Sequence, residues 1–165
     1  LHVMAGITQG IAVEQARETY KENLRYVAAC FLEQELEVLI EPINQRDMPG
    51  YFLSHAHDAA ALISQVGAKN LFLQWDVYHH QIMRGDLLAS LEKLFPLIRH
   101  IQIAGVPDRH EPDTGEVNYP ALFQRLEQLG YDGWVGCEYR PRRGTLEGLS
   151  WLHDALSLAN TNEPD

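Results

Sequence analysis

At 165 residues, with 45% apolar residues and 22% charged ones, the sequence has the composition of one globular domain with a core of real size. Its formal net charge of −10 repels phosphate backbones and argues against nucleic acid as a partner. No apolar run approaches the roughly 18 residues that a membrane span requires.

Leu1-His2-Val3-Met4-Ala5-Gly6 lacks the basic and long apolar stretches of a secretory signal, and Cys30 and Cys137 are the only cysteines. Both features predict a cytoplasmic protein with buried, reduced thiols. Leu1 to Ala5 reads as a short first strand stopped at Gly6. Val13, Ala16, Tyr20, Leu24, Val27, Ala28 and Phe31 then recur at helical spacing, with Glu and Lys on the opposite face. Val38-Leu39-Ile40 is the second strand, ended at Glu41-Pro42 because proline has no N–H to give a ladder. A loop with Asp47 and Gly50 leads to a helix from about Ser54, its expected cap, to Val66, closed by Gly67.

Leu71-Phe72-Leu73 runs into Gln74-Trp75-Asp76 as the third strand, and a helix follows from about Asp86 to Phe95. Ile98 to Ala104 is the fourth strand, and Gly105 to Glu116 is a polar loop. Asn118 caps a helix carrying Leu122, Phe123, Leu126 and Leu129 and ended by Gly130. Trp134-Val135-Gly136-Cys137 is the fifth strand, and a last helix carries Leu149, Leu152 and Leu156. One domain over 1–159 with a frayed tail at 160–165 is expected, with Trp75 and Trp134 in its core.

Strands that alternate strictly with helices imply a parallel sheet, because parallel neighbours need a crossover connection. An open doubly wound sheet and a (β/α) barrel both satisfy this pattern. No Gly-x-Gly-x-x-Gly follows a strand, which weighs against the dinucleotide-binding form.

Four strands end in oxygen-bearing side chains: Glu41, Asp76, Gln102 and Glu138, each about one β–α unit from the next. Parallel strands set such residues side by side at one rim, where barrels build their active sites. Gln74 shares a face with Asp76, and His100 with Gln102, as a polar barrel interior requires. Any one of them could be an ordinary strand-end polar residue, but four in register are harder to dismiss. Three converging carboxylates resist ionisation together, and a divalent cation resolves that conflict. Four oxygen donors favour a hard ion, Mg²⁺ or Mn²⁺, over Zn²⁺.

The blocks Leu39-Ile40-Glu41-Pro42-Ile43-Asn44, Asp76-Val77-Tyr78-His79, His100-Ile101-Gln102-Ile103-Ala104 and Gly133-Trp134-Val135-Gly136-Cys137-Glu138-Tyr139 resemble the hydroxypyruvate isomerase family. So does the loop from Glu111-Pro112 to Gly115-Glu116-Val117-Asn118-Tyr119. That family belongs to the xylose isomerase-like barrels. The resemblance implies an α/β fold of TIM (β/α)8-type, here an incomplete barrel of about five parallel strands matching the family's fourth to eighth, with the first three absent.

It also implies that Glu41, Asp76, Gln102 and Glu138 hold the metal, with Glu41 and Glu138 as proton donor and acceptor. The implied reaction interconverts hydroxypyruvate and tartronate semialdehyde. Arg109, in the loop after the Gln102 strand, is expected to grip the substrate carboxylate with its bidentate fork, and His79 to hydrogen-bond a substrate oxygen. His55, His57, His80 and His153 read as surface or helix residues.

A 2-oxo-tetronate isomerase is the nearest rival reading, and a non-catalytic sugar-acid-binding fragment is one of another class. Gln102 stands where related ketose epimerases carry His, and the acidic charge weighs against a DNA-repair endonuclease. Unpaired outer strands predict association through sheet edges, as a homo-oligomer or with the rest of a longer protein, rather than a compact active monomer.

Overall fold

The computed structural model describes residues 1–153. Its elements are α1 (Val13–Leu32), β1 (Val38–Ile40), α2 (Ala56–Val66), β2 (Leu71–Asp76), α3 (Val77–Met83), α4 (Leu87–Leu94), β3 (Ile98–Ile103), α5 (Tyr119–Gln128) and β4 (Trp134–Cys137). Single 3₁₀ turns lie at Phe95–Leu97 and Glu147–Leu149. The strands stand in chain order, β1-β2-β3-β4, and every neighbouring pair is parallel. An order without reversal is the wall of a (β/α) barrel; a doubly wound sheet would turn back at a switch point. No described helix is long and apolar enough to cross a membrane.

The pleat divides the sheet into two chemical faces. Val38, Ile40, Leu71, Leu73, Trp75, Ile101 and Ile103 are buried in one cluster with Leu24 of α1, Leu62 of α2, Leu91 of α4 and Leu122 of α5. Each fully buried aliphatic side chain contributes about 1.5–3 kcal/mol, so this cluster holds the helices on the sheet. Gln74, Asp76, His100 and Gln102 alternate with it and take the other face.

Local signals end the helices as their chemistry requires. Gly67 closes α2 in a left-handed conformation (φ 70°), with its N–H on the carbonyl of Ile63. Asn118 caps α5 by accepting from the N–H of Ala121 at 3.2 Å. Asn118→Ala is therefore expected to cost about 1 kcal/mol in urea unfolding; an unchanged midpoint would remove the cap from the account. In the loop after β3, a Cβ on Gly115 (φ 104°) would lie 2.0 Å from the carbonyl oxygen of Val106, so no side chain fits there.

Several expectations are corrected. Leu1 to Ala5 meets β1 through one parallel bridge, His2 to Leu39, rather than a full ladder. Helix α2 starts at Ala56 with His55, not Ser54, at its cap position, and no side chain bonds there. Helix α3 was not expected: Asp76 both ends β2 and caps α3, accepting from the N–H groups of Tyr78 and His79, so the strand signal hides the helix start.

His80 belongs to that helix and is buried, not at the surface. Trp134 is 84% exposed because it opens β4, the outer strand of the described sheet, and nothing covers it there. Both cysteines are exposed. Cys30 lies two residues beyond buried Ala28, about 200° around the α1 axis and so on its outer face. Cys137 is the last residue of outer strand β4. Leu156 and the tail at 160–165 lie outside the described residues.

Candidate active site

The strand register assembles the rim. Asp76 pairs with Gln102 across β2 and β3, and Gln102 with Gly136 across β3 and β4. Ile40 pairs with Leu73, which sets Glu41 level with Gln74. The amide of Gln74 donates to Glu41 Oε2 at 2.9 Å and to Gln102 Oε1 at 2.5 Å. Gln102 Nε2 in turn donates to Glu138 Oε2 at 3.0 Å. One hydrogen-bonded line thus runs from Glu41 to Glu138.

Arg109 reaches back into this line. Its Nη2 lies 2.9 Å from Glu138 Oε2 and 3.8 Å from Asp76 Oδ2, and its Nη1 lies 3.6 Å from Asp47 Oδ2. The guanidinium also sits 4.9 Å from the centre of the Tyr78 ring. Its backbone is left-handed (φ 58°), a conformation uncommon outside glycine. Backbone bonds from Arg109 N–H to Gly105 and from Arg140 N–H to Arg109 fix that turn.

Burial dominates the electrostatics. It pushes the Glu41 carboxyl up to about 8, aided by Asp76 and Glu138 and opposed by Arg109 and the Gln74 amide. Asp76 is pushed up to about 7 by burial, against Arg109 and two backbone N–H donors. Burial lowers His79 to about 4, with Arg109 adding to the effect, so the ring is neutral.

Glu41 Oε1 and Asp76 Oδ2 are buried and have no hydrogen-bond partner. Two orphaned carboxylate oxygens side by side are donors that a bound cation would satisfy. Among the described residues, Glu41, Asp76 and His79 each offer an atom within 4.8 Å of the others and could hold a metal. This donor set fits a divalent ion.

All six residues singled out from the sequence, Glu41, Asp76, His79, Gln102, Arg109 and Glu138, therefore lie in one region. Gln102 and Glu138 stand together beside Arg109, and His79 stands with the two buried carboxylates. Arg109 faces protein carboxylates here. Sequence reasoning missed three participants. Asn44 binds His79, Asp47 faces Arg109, and His2 Nε2 lies 3.6 Å from Glu41 Oε2. The parity of Gln74 with Asp76 was the available signal for a polar interior; for Asn44 it was position, three residues beyond Glu41.

The family model described as xylose isomerase-like TIM barrel matches residues 1–155. The 2-oxo-tetronate isomerase of Cupriavidus necator is 56% identical over 157 residues, covering 94% of this chain and 60% of that protein. The hydroxypyruvate isomerase of Escherichia coli is 46% identical over 143 residues, covering 87% of this chain and 55% of the relative. The crystal structure of an AP endonuclease, family 2, from Brucella melitensis superposes with a TM-score of 0.91 at 51% identity, covering 93% of this chain and 60% of that one. The chain thus spans 55–60% of the length of these relatives. It belongs to the xylose isomerase-like TIM barrel family.

Proposed function

We propose that this protein is a divalent-metal-dependent isomerase of a short sugar acid, interconverting hydroxypyruvate and tartronate semialdehyde (2-hydroxy-3-oxopropanoate). The observation that carries this reading is Glu41: a buried carboxyl, held by Gln74 through one oxygen, whose other oxygen is free. That available oxygen lets the carboxylate take a proton from the carbon beside a carbonyl and give one back. Glu138, at the other end of the hydrogen-bonded line, is the second proton carrier. A Mg²⁺ or Mn²⁺ ion held by Glu41, Asp76, Gln102 and Glu138 would supply Lewis-acid stabilisation of the charge that builds on the substrate oxygens.

In this reading His79, neutral and 3.5 Å from Asp76, hydrogen-bonds a substrate oxygen. Arg109 contacts the Glu138 carboxylate through Nη2, and in this reading its fork takes the substrate carboxylate. Lysine keeps the charge but loses the fork. Arg109→Lys is therefore expected to raise KM on the order of tenfold while kcat changes by less than about threefold. A fall in kcat at unchanged KM would move Arg109 out of substrate binding.

A second reading, 2-oxo-tetronate as the preferred substrate, is favoured by the 56% identity to the Cupriavidus necator protein. The same residues would move the proton in either case. Measuring kcat/KM for both acids with Mg²⁺ or Mn²⁺ separates the two readings: the larger value identifies the substrate, and inertness toward both overturns the proposal.

A further inference from the structure

We propose that Asn44 is a positioning residue that sets the tautomer of His79, so that His79 presents an N–H, not a lone pair, to Glu41 and Asp76. Asn44 is fully buried in the loop after β1. Its Oδ1 accepts from the backbone N–H of Asp47 at 2.8 Å, which decides the orientation of its amide. The Nδ2 end therefore faces His79 Nδ1 at 2.6 Å and Asp47 Oδ2 at 3.2 Å. An amide nitrogen only donates, so His79 Nδ1 accepts. The backbone N–H of Asn44, 3.4 Å from the same Nδ1, is a second donor to it.

In a neutral imidazole, one nitrogen that accepts leaves the hydrogen on the other. His79 Nε2–H then lies on the side of Asp76 Oδ2 at 3.5 Å and Glu41 Oε1 at 3.9 Å, the two buried oxygens that have no hydrogen-bond partner. Glu41, Asp76 and His79 thus comprise two oxygen ligands and one donor, rather than three ligands. In the isomerase reading, that hydrogen serves a substrate oxygen bound beside both carboxylates. This catalytic consequence rests on the isomerase reading; the tautomer does not.

The test is ¹⁵N NMR of histidine-labelled protein, with and without Mg²⁺, His79 being assigned by its loss in His79→Phe. The wild type is expected to show hydrogen on Nε2 and none on Nδ1, in both conditions. Asn44→Asp replaces the donor by a group that only accepts, so the hydrogen should move to Nδ1. In that variant kcat is expected to fall on the order of 10²-fold with little change in KM, as when a transition-state donor is lost.

Acting through His79, Asn44→Asp should cost nothing more in the double variant with His79→Phe than His79→Phe costs alone. Hydrogen on Nδ1 in the wild type overturns the proposal and needs no variant to fold. So do an unmoved hydrogen in Asn44→Asp and additive losses in the double variant. A wild type inert toward both acids but with the expected spectrum upholds the tautomer and overturns only the isomerase reading.

Discussion

Replacing Glu41 by Gln is expected to lower kcat for sugar-acid isomerisation by a factor on the order of 10³ or more, and Glu138→Gln to do the same. The substitution keeps size and hydrogen-bonding reach but leaves no oxygen that can carry a proton. At position 41 the retained carbonyl still accepts from the Gln74 amide, so the line from Glu41 to Glu138 stays intact. Burial and the neighbouring carboxylates already favour the neutral form of Glu41, so Glu41→Gln is expected to fold at least as well as the wild type in the absence of metal. Glu138→Gln removes a half-exposed charge from Arg109 and should cost little stability. Steady-state kinetics beside thermal melts separate lost chemistry from lost fold. Near-normal turnover in either variant would remove that residue from proton transfer.

The second large effect is on stability against pH. Glu41 and Asp76 bind protons more tightly in the folded chain, at about 8 and about 7, than at their usual values of 4.5 and 3.8. Their contribution is greatest when both are protonated and is lost as pH rises through those folded values. His79 and His80, lowered to about 4, act in the opposite sense: their contribution is complete above the usual 6.5 and is lost as pH falls toward 4. Between pH 6.5 and 8 the carboxylates dominate the change, so the protein in EDTA should lose thermal stability across that interval. Mn²⁺ at pH 8 should restore it, because a cation between the two carboxylates replaces the protons they need. Asp76→Ala should weaken both the pH effect and the rescue by Mn²⁺. A midpoint in EDTA that rises from pH 6.5 to 8, or no response to Mn²⁺, would contradict the cation site.

The rim was legible because parallel strands turn sequence spacing into adjacency. Glu41, Asp76, Gln102 and Glu138 each follow an apolar run, and the ladder sets Asp76 beside Gln102. What the spacing could not carry was the wiring. That Gln74 spans Glu41 and Gln102 depends on a register irregularity between Leu73 and Gln74. That Arg109 folds back on Glu138 depends on a left-handed turn at a non-glycine residue. The position of Asn44, three residues beyond Glu41, hints at the site but not at its role, which is set by a partner in α3, and α3 itself was hidden by the double duty of Asp76. Trp134 misled because an aromatic residue at a strand start reads as core, whereas exposure depends on what lies beyond the outer strand.

The most direct test of the central claim is proton NMR of the protein with Mg²⁺ and hydroxypyruvate in D₂O. The carbonyl is expected to move to the neighbouring carbon to give tartronate semialdehyde, with deuterium entering at the carbon that receives the proton. Glu41→Gln should stop both the conversion and the deuterium incorporation. Unchanged hydroxypyruvate and 2-oxo-tetronate in the presence of the wild-type protein, or equal conversion by Glu41→Gln, would contradict it.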